Sequence, residues 1–414
     1  MKIAYVGNFS LDFTTETHVA KTLQKMGHEV VRIQETPNPN PGWAQRLVPR
    51  DTDLFLFTRT WGKMVTLEDL KFLKELGIPT ASYHLDLYVG LSRQSGLETD
   101  PFWRTEYVFS ADGDPESQKY FESRGINHFW LLPAVYEDEC IMSEPNNDPT
   151  LQGDVIFVGG GAEYGHKEWP YRHQLVRFLA ETYKERYRKY GYPQRSVRGA
   201  ELNQLYANAK VAIGDSVNVG FTHTNYTSDR LFESIGRGAF TIYPRIHGVA
   251  EIFPESLHDI FYDYGDFEGL RAKIDYYLAH DKEREALRLD CFRFVSASQT
   301  YTQRLQALLD QLRDLGAFGT PEALKMPSLE TSEDFYMTVG DLRNAIEGMP
   351  NSAKVYYQRI EDVYFDKHGW GAHSKLVPDP EILALHGEAI NEEWLRAWGG
   401  FKAEDGDLHI TAHY

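Results

Sequence analysis

Cysteine is nearly absent from this chain of 414 residues, which contains only Cys140 and Cys291. Two cysteines so far apart exclude a disulfide framework and a cysteine-rich zinc module. This scarcity is typical of proteins in a reducing compartment, and we expect the cytoplasm. A chain of this length can bury hydrophobic cores without covalent cross-links.

Long apolar runs are missing as well. No stretch approaches the roughly 20 residues that a membrane-spanning helix needs. The opening segment Met1–Asn8 turns polar too early for a signal peptide. These absences predict a soluble protein without a membrane span.

Positive charge is in deficit, since 43 Lys and Arg face 61 Asp and Glu, which gives a formal net charge of −18. Residues 321–414 hold 17 acidic and 8 basic residues and so carry half of that charge. Such a protein has no broad attraction for nucleic acid or anionic lipid, although a local basic cleft is compatible with this balance. Solubility is the simplest interpretation of the excess acid.

Predicted strands and helices alternate in two successive series. The first series, in residues 1–150, opens with strand Ile3–Val6, a helix and strand Val30–Ile33, which together form a βαβ unit. A polar segment separates it from a second series in residues 151–318. We predict two Rossmann-like α/β domains, with a ligand beyond the carboxyl ends of their strands.

Further predictions concern the later helices and strands of the chain. We expect one long helix over Tyr171–Tyr187 and another over Asp281–Leu315. Residues 321–414 change character, and there we predict a small acidic α+β accessory domain. In it, strand Lys354–Gln358 has Val363–Phe365 as its hairpin partner.

A glycine turn, Gly159, Gly160 and Gly161, follows a predicted strand in the second series. Such a turn lets backbone N–H groups approach a phosphate, and Lys167 and Arg172 follow as candidate phosphate partners. An ordinary turn is an equally good interpretation. Neither a P-loop nor a full dinucleotide fingerprint occurs in context, which disfavours a dinucleotide-dependent oxidoreductase.

Asp229, Arg230 and Glu233 cluster at the predicted start of a helix. Arg230 and Glu233 are three residues apart and therefore share a helix face. A carboxylate there can accept the two hydroxyls of a ribose, and the arginine can hold a diphosphate. The alternative is a local ion pair with acidic residues favoured by the helix dipole.

The segment 228–309 resembles the C-terminal half of GT-B glycosyltransferases, in particular the CgeB-like group. The matching motifs are Ser228-Asp-Arg-Leu-Phe-Glu, Gly248-Val-Ala-Glu-Ile-Phe, Lys273-Ile-Asp-Tyr-Tyr-Leu and Tyr301-x-x-Arg-Leu. Asp154-Val-Ile-Phe-Val-Gly, with Arg172, is similar to the opening strand and phosphate-binding arginine of that half. The resemblance implies a GT-B arrangement of the two domains.

The N-terminal half is similar to these enzymes in a looser way. Glu16-Thr-His18 resembles the first helix of retaining members, which implies that Glu16 and His18 face the acceptor. A structural role on the helix face is an equally good interpretation of His18. Pro79–His84 resembles a strand that ends in a sugar-facing histidine. On that basis His84 and Asp86 are assigned to donor-sugar contact or proton handling, with a hydrogen-bonded structural histidine as the alternative.

The resemblance implies transfer of a hexose or pentose from a nucleoside-diphosphate sugar, such as a UDP-sugar, with retention. It also implies that no metal or other cofactor is needed and that the second domain holds the donor. Glu233 aligns with the ribose-binding glutamate of the family. Asn225 stands where these enzymes have a second, sugar-contacting glutamate, and Asp229 and Arg230 belong to the CgeB-like variant pattern.

Two further functions stay open at this point, because the acceptor cannot be read from the sequence. One is a phage-type DNA glycosyltransferase acting on hydroxymethylated pyrimidines, which requires a basic groove that the net charge disfavours. The other is a non-catalytic nucleotide-sugar-binding or structural protein, which the departure at Asn225 permits.

Overall fold

The computed structural model describes residues 1–59, 64–160 and 170–318, together with four strands in the last part of the chain. The chain forms two compact units, Met1–Pro321 and Glu322–Tyr414. The first unit contains both α/β series. We call the part built on the first sheet the first half and the part built on the second sheet the second half.

A six-stranded parallel sheet forms the centre of the first half, in the order β2-β1-β3-β4-β5-β6. Its central strands are apolar on both faces, as parallel sheets covered by helices require. The strands are β1 (Lys2–Gly7), β2 (Glu29–Gln34), β3 (Leu54–Phe57), β4 (Thr80–His84), β5 (Tyr107–Ser110) and β6 (His128–Trp130). The helices of this half are α1 (Thr15–Lys25), α2 (Trp43–Leu47), α3 (Leu67–Glu75) and α4 (Pro115–Ser123).

A five-stranded parallel sheet forms the second half, in the order β11-β10-β9-β7-β8. The strands are β7 (Val155–Val158), β8 (Tyr187–Tyr190), β9 (Val211–Ile213), β10 (Thr241–Pro244) and β11 (Phe261–Tyr262). The helices are α5 (Tyr171–Tyr183), α6 (Gly199–Asn208), α7 (Arg230–Gly236), α8 (Phe267–Ala279) and α9 (Asp281–Ser298). The predicted pair of parallel α/β series is confirmed.

The prediction of one helix over Tyr171–Tyr187 was wrong at its C-terminal end. Helix α5 stops at Tyr183, and Lys184 adopts a positive φ of 47°. The chain then forms the edge strand β8, whose first and last tyrosines are buried while Arg188 is exposed. A four-residue edge strand pairs on one side alone, so its apolar signal is too short to stand out from a helical pattern.

The predicted helix Asp281–Leu315 is in fact two helices. It breaks at Gln299, and α10 (Tyr301–Asp314) begins with a capping box formed by Thr300 and Gln303. The apolar face of α10 packs against β1 and α1 of the first half. The residues on the α10 side of this core are Tyr301, Leu305, Leu308, Leu309 and Leu312. The chain therefore returns to the first half near the end of the first unit, and α10 joins the two halves.

The second unit contains two antiparallel hairpins within its described residues. One joins β12 (Tyr357–Asp366) to β13 (Gly369–Val377), and the other joins β14 (Lys402–Glu404) to β15 (Asp407–His409). The predicted pairing of Val363–Phe365 with Lys354–Gln358 was wrong, because Gln358 and Val363 lie in the same strand. Any helical part of this domain falls outside the described residues. Over the described chain, no helix has both the length and the apolar character to cross a bilayer.

Candidate functional site

Two loops join the halves beside the carboxyl edges of their sheets. After β5, Asp112 Oδ1 lies 2.9 Å from His223 Nε2. The backbone N–H and the hydroxyl of Thr224 donate to Asp114 Oδ2 at 2.8 and 2.9 Å. Although burial opposes the charge of Asp114, hydrogen bonds from Thr224 and Glu116 lower its pKa. An apolar cluster lies in the same contact: Leu87, Leu91, Ala111 and Tyr226.

Asn225 belongs to this contact between the halves. Its φ is +52°, in the left-handed region that asparagine tolerates better than most residues. Its carbonyl accepts from Gly113 N–H at 3.0 Å, and its own N–H donates to His247 O at 2.8 Å. Its Nδ2 donates to Gly113 O at 3.3 Å. The structure therefore gives Asn225 a joining role, while its predicted contact with a donor sugar stays a prediction.

Two arginines meet at the carboxyl edge of the second sheet. Arg230 donates from Nε to Val158 O at 2.9 Å and from Nη1 to Asp215 Oδ1 at 3.0 Å. Arg172 donates from Nε to Asp215 Oδ2 at 2.7 Å. Both arginine side chains are 19% exposed. A Cβ placed on Gly159 would lie 3.3 Å from Arg230 Nη2, so the glycine turn and the arginines share one place.

Asp215, between the two arginines, was missed at the sequence level. It lies two residues after the buried strand β9, and an acidic residue so soon after a buried strand was the available signal. Gly214 is required before it because a side chain there would overlap the ring of Tyr243. Burial opposes the charge of Arg230, but the carboxylates of Asp215 and Asp229 raise its pKa above the ordinary value.

Asp229 and Glu233 lie at the start of α7, next to the arginines. The side chain of Glu233 is 32% exposed. Burial and the nearby charge of Asp229 raise the pKa of Glu233, while Arg237 acts in the opposite direction. Within the described residues, the Asp229 carboxylate makes no hydrogen bond or ion pair. Two carboxylates at this edge are therefore accessible to a polar ligand.

A buried chain of charged groups links α7 to α1. Arg237, which is 1% exposed, pairs with Glu139 and lies 3.4 Å from Glu233 Oε1. Glu139 Oε1 in turn lies 3.7 Å from His18 Nε2. Burial lowers the pKa of His18, and Glu139 counters part of that shift. His18 also stacks on Tyr136, with ring centroids 4.5 Å apart.

Glu16 lies at the N-terminus of α1, against the end of β1. A Cβ on Gly7 would lie 2.6 Å from Glu16 Cγ, so the absence of a side chain at Gly7 lets α1 approach the strand. Glu16 and His18 are 5% and 8% exposed. Their assignment to the acceptor stays a prediction, and His18 also has the structural contacts just described.

His84 is buried in the first half, where it is 1% exposed. Its Nε2 lies 2.9 Å from Phe102 O, and its ring centroid is 3.8 Å from that of Trp103. Burial holds the pKa of His84 well below its ordinary value, so the ring is neutral. These contacts match the structural alternative for His84. Asp86 is exposed instead, with Arg93 at 3.5 Å.

Of the remaining predicted residues, the structure describes Gly160 but not Gly161 or Lys167. Gly160 is half-buried beside Gly159. Gly161 and Lys167 lie outside the described residues. Across residues 1–59, 64–160 and 170–318, no group of three or more His, Cys, Asp or Glu side chains could hold a metal ion.

Part of the chain matches a known protein family. Residues 169–310 match a family model described as "Glycosyl transferase-like", and this range contains Arg172, Asp215, Arg230 and Glu233. No curated protein sequence matches the chain.

Solved structures of glycosyltransferases share the fold. An alpha-glucosyltransferase in complex with UDP has a TM-score of 0.56 at 13% identity, over 75% of this chain and 99% of that one. HepE from Anabaena, in complex with UDP and glucose, has a TM-score of 0.52 at 12% identity, over 76% and 100%. An alpha-glucosyltransferase with UDP-glucose and DNA containing an abasic site has a TM-score of 0.56 at 12% identity, over 76% and 99%. The predicted GT-B arrangement of two Rossmann-like domains is confirmed.

Proposed function

We propose that this protein is a glycosyltransferase that transfers a sugar from a nucleoside-diphosphate sugar to an acceptor hydroxyl. The observation that carries the proposal is the pair Arg172 and Arg230 at the carboxyl edge of the second sheet. Glycosyl transfer releases a diphosphate on which negative charge develops, and fixed guanidinium groups stabilise such charge. The family match over residues 169–310 supports the same conclusion.

The donor binds the second half in this proposal, and UDP is the expected nucleotide. Gly159 and Gly160 leave the backbone open to the diphosphate. Glu233 accepts the ribose hydroxyls, with the accessible carboxylate of Asp229 beside it. UDP is the nucleotide bound to the similar alpha-glucosyltransferase and to HepE, which supports this choice. The motif Ser228–Glu233 supports membership of the CgeB-like group.

We further propose that the reaction is metal-independent and retains the anomeric configuration. The arginines supply the positive charge that a metal ion would otherwise provide. One similar structure is an alpha-glucosyltransferase in complex with UDP-glucose, whose sugar is itself α-linked. An α-configured donor and an α-configured product support retention. Unchanged donor turnover in excess EDTA and an α-configured first product in NMR spectra are the expected results. Metal dependence or a β-configured first product would contradict them. The scarcity of cysteine supports action in the cytoplasm.

The test begins with thermal shifts in the presence of nucleoside diphosphates and their sugars, followed by donor hydrolysis. We expect stabilisation by UDP and slow release of sugar. Arg172→Ala should abolish both effects. Arg177→Ala is the matched control, because Arg177 lies on the same helix, is 68% exposed and pairs with Glu181. Binding without turnover would favour the non-catalytic alternative, and no stabilisation by any nucleotide would overturn the proposal.

DNA is the acceptor that the structural similarities favour, since three of the similar alpha-glucosyltransferase structures contain DNA. Two arginines in the described loops of the first half argue against it, because each already has an acidic partner. Arg59 pairs with Asp100, and Arg93 lies 3.5 Å from Asp86. Phosphate binding requires cations that are free to replace counterions. We therefore expect no binding of hydroxymethylated duplex DNA in fluorescence anisotropy at low salt.

A further inference from the structure

We propose that Asp215 positions Arg172 and Arg230 for the donor diphosphate, an inference that rests on the proposed function. One carboxylate holds both guanidinium groups. Its Oδ2 accepts from Arg172 Nε at 2.7 Å, and its Oδ1 accepts from Arg230 Nη1 at 3.0 Å. The two arginines come from different helices, α5 and α7, so this carboxylate is what they have in common.

Asp215 is itself held rigidly, as a positioning residue must be. It is 1% exposed. Its carbonyl accepts from Tyr243 Oη at 3.0 Å and from Ser228 Oγ at 3.2 Å. The next residue, Ser216, accepts the N–H of Ser228 on its Oγ at 3.1 Å. The backbone around Asp215 is thus tied to β10 and to the segment before α7.

The guanidinium nitrogen atoms without a partner among the described residues are the ones that can bind phosphate. A guanidinium group carries five N–H donors in a planar fork. Among the described residues, neither Nη of Arg172 nor Nη2 of Arg230 has a hydrogen-bond partner. Asp215 itself is buried, whereas both arginine side chains are 19% exposed.

Electrostatics and positioning predict opposite effects on diphosphate binding when the charge of Asp215 is removed. Its negative charge lowers the net charge of the three side chains from +2 to +1, so electrostatics alone predicts tighter diphosphate binding without it. Positioning predicts weaker binding, because free arginine side chains must lose rotational freedom when the diphosphate binds. The sign of the effect in Asp215→Asn therefore distinguishes the two views.

The experiment measures binding of UDP by calorimetry and of uridine by ligand-observed NMR. We expect Asp215→Asn to weaken UDP binding about tenfold or more, the size of one lost charge-assisted hydrogen bond. Uridine binding should not change, because uridine lacks the diphosphate. Asp263→Asn is the matched control, since Asp263 also follows a strand of this sheet but is 83% exposed. This control should bind UDP as the wild type does.

Equal or tighter UDP binding by Asp215→Asn would overturn the inference, as would an equal loss for UDP and uridine. If Asp215→Asn does not fold, Arg172→Lys replaces it, since lysine keeps the charge but lacks the planar fork that presents one edge to Asp215 and another to the phosphate. That variant should likewise lose UDP affinity and keep uridine affinity, and unchanged UDP affinity would overturn the inference. A wild-type protein that binds no nucleoside diphosphate overturns the proposed function first and this inference with it.

Discussion

Replacing Arg237 by methionine should destabilise the protein and weaken its hold on a donor ribose. Arg237 is 1% exposed and stands between two carboxylates, Glu139 and Glu233. It also donates to Asn203 Oδ1 at 2.7 Å and to Gly199 O at 3.1 Å. Methionine fills similar space but leaves both carboxylates without their cation.

The size of the effect follows from burial. Removing one partner of a buried ion pair costs about 3–5 kcal/mol. Glu139 is 15% exposed, but Glu233 is 32% exposed, so water screens part of the charge that is left behind. We therefore expect Arg237→Met to lose stability at the lower end of this range, about 3 kcal/mol. Neutralising Glu139 as well, in Arg237→Met with Glu139→Gln, should recover about 1 kcal/mol, because one of the unpaired charges is then gone.

Urea denaturation followed by tryptophan fluorescence measures these differences as shifts of the transition midpoint at constant slope. Arg177→Met, on an exposed helix face, is the control and should change stability by less than about 0.5 kcal/mol. A loss below about 1 kcal/mol for Arg237→Met would refute the reasoning, because it would show that Glu139 and Glu233 do not depend on this cation.

Three other predictions follow from the same contacts. Glu233→Gln should weaken UDP binding about tenfold but leave 2′-deoxy-UDP binding nearly unchanged in calorimetry, since its carboxylate is assigned to the ribose hydroxyls; equal losses for both ligands would contradict that role. Asp114→Asn should cost about 1 kcal/mol at neutral pH, because charge-assisted bonds from Thr224 become neutral ones. The folded-state pKa of Asp114 lies below its ordinary value of 3.8. The difference in unfolding free energy between the wild type and Asp114→Asn should therefore be fully present at neutral pH and should disappear as the pH falls through the folded-state pKa. A stability difference between the two proteins that persists in acid denaturation would argue against a charge effect. Gly214→Ala should destabilise by about 1–3 kcal/mol, because its Cβ overlaps the ring of Tyr243, and an unchanged melting temperature would show that the ring can move aside.

The sequence alone determined the parallel α/β architecture and singled out the two arginines that we propose bind the diphosphate. Buried strands such as Ile3–Val6 are continuous apolar runs, and each is followed by a helical repeat, so local pattern was sufficient. Arg172 and Arg230 could be named because one follows the glycine turn and the other opens a helix. Local pattern failed where the signal was short, as at the edge strand Tyr187–Tyr190, or where one capping residue, Thr300, interrupts a long helical repeat.

The tertiary structure alone decided which side chains meet. Asp215 lies far along the chain from Arg172, yet the order of strands in the second sheet brings them within 2.7 Å. The same strand order leaves Glu233 accessible beside them. His84, in contrast to Glu233, is not accessible, because the rings of Phe102 and Trp103 pack over it at the end of β4. Periodicity along a chain specifies which face of an element is apolar, but contacts between elements depend on sheet order and loop paths, which no local pattern encodes.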